Sequence, residues 1–246
     1  MTLRQTLFIS DLHLSESSHH LNALFDTFIE NVQRSDNVDA VYILGDFFDV
    51  WTGDDLMTSW SFDIAKKLAS LKEIPVYFMP GNRDFLIGGR FAEMAGCSLI
   101  SDPSCIDLYG NRVLLKHGDD LCVKDRLHQF FRRFSRNIYV QKCYLALPSS
   151  WRQKIAGELR RVSRGNNPKY NNGRSSISMP MVHQLLKENE ASTLIHGHIH
   201  DPQMELLKVG NTERKYIVLC DWREEGNCLR IYSNGRNTLD YFKKNG

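Results

Sequence analysis

Several things are scarce in this chain, and each shortage excludes something. Its six cysteines (Cys97, Cys105, Cys122, Cys143, Cys220 and Cys228) include no Cys-x-x-Cys pair, which argues against a structural zinc site and against a disulfide framework. No apolar run approaches the roughly 20 residues needed to span a bilayer. The start does not read as a secretory signal, so reduced cytosolic thiols are expected. Internal repeats, low-complexity tracts and a clear linker are also missing. With 246 residues, 42% of them hydrophobic and 24% charged, the chain has the composition of a soluble globular protein with a sizeable core.

Net charge is small, +2, but unevenly placed. Residues 124–174 hold 13 Lys or Arg against only Asp125 and Glu158, a local +11 that leaves −9 for the rest. Such a segment is suited to an anion: a phosphate ligand, a nucleic acid or an anionic membrane. The plainer alternative is a solvated helical hairpin face.

What the chain does have is a series of apolar runs that stop abruptly on polar groups. Residues 41–44 end in Gly45-Asp46-Phe47-Phe48-Asp49. A buried strand ending this way delivers its carboxylate to the rim of a sheet, where α/β proteins keep their chemistry. Residues 6–9 run into Ser10-Asp11-Leu12-His13; in extended backbone, positions two apart face the same side, so Asp11 and His13 are expected to share a site. Residues 75–79 lead to Gly81-Asn82-Arg83-Asp84. Residues 105–108 and 112–116 read as a hairpin whose second arm runs into His117-Gly118-Asp119. Residues 193–195 end in His196-Gly197-His198-Ile199-His200.

Helical spacing of Leu21, Leu24, Phe25, Phe28, Ile29 and Val32 predicts a core-packing helix, and others are expected at 62–71, 86–95 and 181–190. Residues 124–162 read as helices broken at Pro148, and two or three antiparallel strands near 216–219 and 228–232 close the chain. Strand–helix alternation over the first 95 residues argues a mostly parallel sheet in an α/β fold.

Each polar strand end is weak alone: Asp-x-His is commonly a hydrogen-bonded turn, and His-Gly a satisfied core histidine. Five together, four with an adjacent glycine that lets backbone approach an ion, change the balance. Burying so many carboxylates and imidazoles without a cation would be costly. Oxygen and imidazole donors suit Mn²⁺, Fe²⁺, Mg²⁺ or Zn²⁺. A shared carboxylate, Asp46, would hold two ions about 4 Å apart, the arrangement of two-metal hydrolases.

The motifs Asp11-x-His13, Gly45-Asp46-x-x-Asp49, Gly81-Asn82-Arg83-Asp84, His117-Gly118-Asp119 and Gly197-His198-x-His200 resemble, in order and over residues 6–200, the five motifs of the calcineurin-like metallophosphoesterases. The resemblance implies two packed β-sheets flanked by helices, and here a single domain with a helical lid inserted over about 122–175. It implies one ion on Asp11, His13, Asp46 and His200, a second on Asp46, Asn82, His117 and His198, and Asp49 orienting a ligand. Most of the family carry His where Arg83 stands. Arginine cannot serve as a general acid near neutral pH, but it can clamp a phosphate through its planar fork, which suits a leaving group that needs little protonation.

Further matches at 81–86, Trp51-x-Gly53-Asp54-Asp55, His117-Gly118-Asp119-x-Leu121-Cys122 and Leu145-Ala146-Leu147-Pro148 resemble the branch of that family acting on UDP-2,3-diacylglucosamine in lipid A synthesis. That resemblance implies attack of a metal-bound hydroxide on the α-phosphorus, release of UMP and 2,3-diacylglucosamine 1-phosphate, and Mn²⁺ as the usual metal. It implies substrate contacts from Asn82, Arg83, Asp125, Ser163, Asn167 and His198. A lysine is usual where Tyr170 stands, so Lys169, beside it, or Arg174 is a candidate replacement. Phe130, Phe131, Phe134, Ile138, Tyr144, Leu145, Leu147 and Trp151 are candidates to line acyl chains beside the basic residues, unless they only pack the helices together. The expected setting is cytoplasmic, peripheral on the inner face of an anionic inner membrane, with no nucleic acid and no obligate protein partner. The competing readings are a soluble nucleotide diphosphatase or phosphodiesterase, a protein phosphatase, a basic nucleic-acid-binding protein with a degenerate site, and a structural membrane adaptor.

Overall fold

The computed structural model describes residues 3–122, 126–165 and 177–244, without the side chains of 126–128, 131, 159–160 and 162–165. Two sheets pack face to face. The first contains β1 (Gln5–Ile9), β2 (Val38–Leu44), β3 (Val76–Met79), β4 (Cys97–Leu99), β10 (Gly226–Tyr232) and β11 (Asn237–Phe242) in the order β11-β10-β1-β2-β3-β4. The second contains β5 (Ser104–Leu108), β6 (Asn111–Lys116), β7 (Thr193–His196), β8 (Gln203–Val209) and β9 (Thr212–Val218) in the order β5-β6-β7-β9-β8. Strands β1 to β4 run parallel, as do β6, β7 and β9; β10 and β11 join antiparallel.

Alternation along the strands explains the layering. In β1, Leu7 and Ile9 face one core while Phe8 faces another, and in β2 Val41 and Ile43 oppose Tyr42 and Leu44 in the same way. The first set packs under α1 (His19–Gln33), α2 (Ser59–Ala69) and α3 (Gly89–Ala95), through Phe25, Phe28, Ile64, Leu68 and Phe91. The second set meets Val113, Leu115, Ile195 and Ile217 of the other sheet. The outer face of that sheet, with Leu114, Leu194 and Tyr216, is covered by Val182 and Leu186 of α7 (Met179–Glu188). Both central strands are therefore buried on both faces and read as continuous apolar runs. Between β6 and α7 stand three helices, α4 (Arg126–Ser135), α5 (Ile138–Leu145) and α6 (Ser149–Gly165), broken at Pro148 as the sequence predicts.

Some expectations shift. Helix α2 starts at Ser59, before the expected 62, because Thr58 and Ser61 form a capping box, a polar signal outside the apolar period. The closing strands number four, antiparallel within the pairs β8–β9 and β10–β11, and β9 also pairs with β7 in parallel. The segments at β8 and β11 lie at sheet edges with half-exposed patterns, which hides them from a search for apolar runs.

Candidate active site

The parallel strands of both sheets deliver their C-terminal ends to one rim. From β1 come Asp11 and His13, from β2 Asp46, from β3 Asn82, from β6 His117, and from β7 His198 and His200. These seven residues are brought together in two groups. Asp11, His13 and His200 offer donor atoms within 4.8 Å of one another, as do Asp46, His117 and His198. His200 Nε2 lies 3.2 Å from Asp11 Oδ1, and His13 Nε2 lies 4.0 Å from the same oxygen. In the second group His117 Nε2 is 2.9 Å from Asn82 Oδ1 and 3.5 Å from Asp46 Oδ1. The two sheets are tied across this rim, since His198 N donates to Asp11 Oδ2 at 2.8 Å.

The backbone here departs from the extended geometry expected after β1. Asp11, His13, Asp46, His198 and His200, five of the seven, sit at φ between 51° and 70°. Non-glycine residues adopt this left-handed region at a cost of about 1–3 kcal/mol each. Asp11 and His13 share a site because two tight turns aim them there, and the strand pleat that suggested the pairing ends at Ile9. Hydrogen bonds over-determine these turns: Asp11 N to Gly45 O, His13 N to Asp46 O, and Asp84, fully buried, accepting from Gly81 N, Phe47 N and Phe48 N. Burial, with the Asp46 charge beside it, pushes the Asp84 carboxyl up to about 7.

The residues fit cations. Both ring nitrogens of His13 are buried without a hydrogen-bond partner, an arrangement that costs free energy unless a further group supplies the partner. A Cβ on Gly81 would run into the Asp46 carboxylate, and one on Gly197 into the Asp11 carboxylate, so backbone crowds these oxygens from behind. Burial opposes charge on both His117 and His200. Asp46, Asp11 and Asp119 nevertheless hold His117 up at about 9, and Asp11 and Asp221 hold His200 up at about 10. At His13 burial, helped by the nearby Arg83 and His200 charges, outweighs Asp46 and Asp11 and pushes the ring down to about 4. The metal-free site thus binds protons on two imidazoles where a cation could stand.

Arg83 is half-buried. Its Nη1 donates to Asp49 Oδ1 at 2.8 Å, its Nε lies 3.5 Å from Asp46 Oδ2, and its backbone N donates to Asp46 Oδ1 at 2.9 Å. Asp49, expected to orient a ligand, thus accepts a hydrogen bond from the arginine.

Sequence reasoning missed several members. Asp119 is fully buried and receives Arg132 at 2.9 Å and Arg136 at 3.2 Å, rooting α4 beside His117. Arg152 of α6, buried, binds both oxygens of Asp55 and the Thr52 carbonyl, a second root for the helices. Asp221 lies 3.3 Å from His200 Nδ1. It follows the apolar end of β9, so the strand-end rule that found the other ligands could have found it. Of the expected substrate contacts, Asp125, Asn167, Lys169 and Tyr170 lie outside the described residues, as do Arg174 and the side chains of Ser163 and Phe131.

The model of the calcineurin-like phosphoesterase family matches residues 5–202. The chain belongs to that family. Among its relatives, the UDP-2,3-diacylglucosamine hydrolase of Coxiella burnetii (strain Dugway 5J108-111) is 44% identical over 98% of this chain and 99% of that protein. The protein of the same name from Serratia proteamaculans (strain 568) is 37% identical over 96% and 98%. The family and the two ligand groups together make divalent cations the cofactors. Among the described residues, no helix is long and apolar enough to cross a membrane.

Proposed function

We propose that the chain hydrolyses UDP-2,3-diacylglucosamine at the α-phosphorus, giving UMP and 2,3-diacylglucosamine 1-phosphate for lipid A synthesis. The observation that carries this reading is a two-group cation site flanked by an arginine where the family usually has an acid, beside helices with exposed aromatics. Relatives of that name at 37–44% identity over nearly the whole chain support the choice of substrate.

Asp11, His13, Asp46 and His200 would hold one ion, and Asp46, Asn82, His117 and His198 the other, with Mn²⁺ the metal we favour. When bound, such a pair supplies an acidified water and positive charge for phosphoryl oxygens. The chain's own residues do the rest. Asp49 fixes the Arg83 guanidinium, whose planar fork can take a phosphate oxygen as charge develops on it. Asn82 and His198, which both meet His117, would contact the phosphate.

We read residues of about 122–175 as a lid over a single domain. Phe130, Phe134, Ile138 and Trp151 are exposed, at 70%, 53%, 55% and 63%, so they do not serve to pack these helices together. Tyr144 is an exception, turning inward against the main core, and Leu147 is half-buried. Exposed Arg133, Lys142 and Lys154 accompany the apolar residues. That combination suits acyl chains and the anionic cytoplasmic face of an inner membrane. Asp125, Ser163, Asn167 and either Lys169 or Tyr170 would complete the substrate contacts.

Turnover of the acylated UDP-sugar, without and with chelator and then restored metal by metal, tests the reading. UMP release that stops with chelator and returns best with Mn²⁺ is expected. Equal turnover of UDP-glucose would instead favour a soluble nucleotide diphosphatase.

A further inference from the structure

The chain crosses from β9 in one sheet to β10 in the other, and this crossover runs past the first ligand group. Trp222 N donates to Asp11 O at 3.1 Å, tying the crossover to the backbone of one ligand. The preceding residue, Asp221, is 8% exposed and sets Oδ2 3.3 Å from His200 Nδ1. His200 is therefore held at both nitrogens, since its Nε2 faces Asp11 at 3.2 Å.

The second group is built differently. His117 Nδ1 lies 2.9 Å from the Leu44 carbonyl oxygen, a neutral acceptor, while its Nε2 faces Asn82. A hydrogen bond from the remote nitrogen of an imidazole fixes its tautomer and orientation, and a carboxylate acceptor raises its donor strength more than a carbonyl does. His200 and His117 thus differ in the charge of the group behind the remote ring nitrogen.

We propose that Asp221 is a positioning residue that presents His200 Nε2 to the first cation and so tightens that cation's hold on the Asp11–His13–His200 group. This rests on the two-cation reading above. Asp221 also receives Arg223 Nε, 2.6 Å from the same Oδ2. Arg223 is 70% exposed, so it serves to steady the carboxylate from solvent. The competing role for Asp221 is to anchor the crossover through that arginine alone.

Mn²⁺ binding to chelator-stripped protein separates the two. His117→Ala isolates the first group, and Asp221→Asn is then added to it. The asparagine is expected to weaken the remaining site by about 10- to 100-fold, the usual cost of losing such a partner. Arg223→Gln is expected to leave it within about threefold, and Asp221→Glu to recover part of the loss. Unchanged affinity in the asparagine variant, or an equal loss with Arg223→Gln, overturns the proposal. A measurement on the unaltered protein covers the case of a variant that does not fold. In Zn²⁺-loaded, ¹⁵N-histidine-labelled chain, His200 should carry its proton on Nδ1 and none on Nε2; the reverse tautomer contradicts the assignment. Failure of the two-cation reading is distinguishable, because the unaltered protein would then bind no Mn²⁺ stoichiometrically.

Discussion

Arg83 is held by Asp49: Nη1 meets Oδ1 at 2.8 Å, with the carboxylate 8% exposed and the guanidinium 32%. On the proposed reading, Arg83 binds charge and does not deliver a proton, since a guanidinium stays protonated near neutral pH. Arg83→Lys keeps the charge but loses the fork, and a fall in kcat of about 10² or more is expected, the usual scale for removing one stabilising donor. Asp49→Asn should cost a substantial part of the same factor. The double variant should be no worse than Arg83→Lys alone, because both changes disable one unit. Steady-state kinetics on the acylated substrate checks this; additive losses would separate the two residues.

Gly197 allows backbone to pass against Asp11 and Ser10, where a methyl group would collide with both. Gly197→Ala is expected to displace Asp11 and empty the first cation site, lowering activity by at least about 10², since a shift of 1 Å in a reacting group has that effect. Metal analysis of the purified variant reads it directly. Full metal content would show that the loop absorbs the methyl group.

His117 and His200 give the metal-free protein a defined pH dependence. Their folded values, about 9 and about 10, lie above the ordinary 6.5 of an unfolded histidine. Stabilisation from their protonation is therefore complete below about 6.5 and is lost as pH rises through 9 to 10. Thermal melts of stripped protein should fall across that window. Cation binding must expel the same protons, so at pH 7.5 calorimetry in two buffers should show release of about two protons per chain, and affinity should climb with pH. Metal uptake without proton release would mean that these imidazoles are already neutral.

Trp151 and Arg152 are neighbours with opposite tasks. The indole is 63% exposed, while the guanidinium is buried against Asp55 and Thr52. Trp151→Ala is expected to weaken binding to anionic vesicles and to raise KM for the acylated substrate severalfold, with Tm unchanged. Arg152→Ala should instead loosen α6, seen as faster proteolysis within residues 149–165. A Trp151 variant with normal vesicle binding and KM would remove the lid from membrane and acyl recognition.

The readable part of the site was the part written as strand ends. Asp46, Asn82, His117, His198 and His200 each follow an apolar run that stops, and burial of both sheet faces makes such runs conspicuous. The left-handed turns at Asp11, His13, Asp46, His198 and His200 were not readable, because aspartate and histidine carry no local mark of positive φ; long-range bonds such as His13 N to Asp46 O impose it. The ion-pair roles of Asp119 and Arg152 were equally hidden. Arg132, the partner of Asp119, lies on α4 and Arg152 itself on α6, and the approach of these helices to the rest of the chain is a tertiary fact. The edge strands β8 and β11 escaped because they bury too little apolar surface to form a run.

The two-cation site itself is tested most directly by anomalous diffraction at the manganese edge from crystals grown with Mn²⁺. Two peaks are predicted on either side of the Asp46 carboxylate, one contacting Asp11, His13 and His200 and the other Asn82, His117 and His198. A single peak, or none among these seven side chains, would contradict the account.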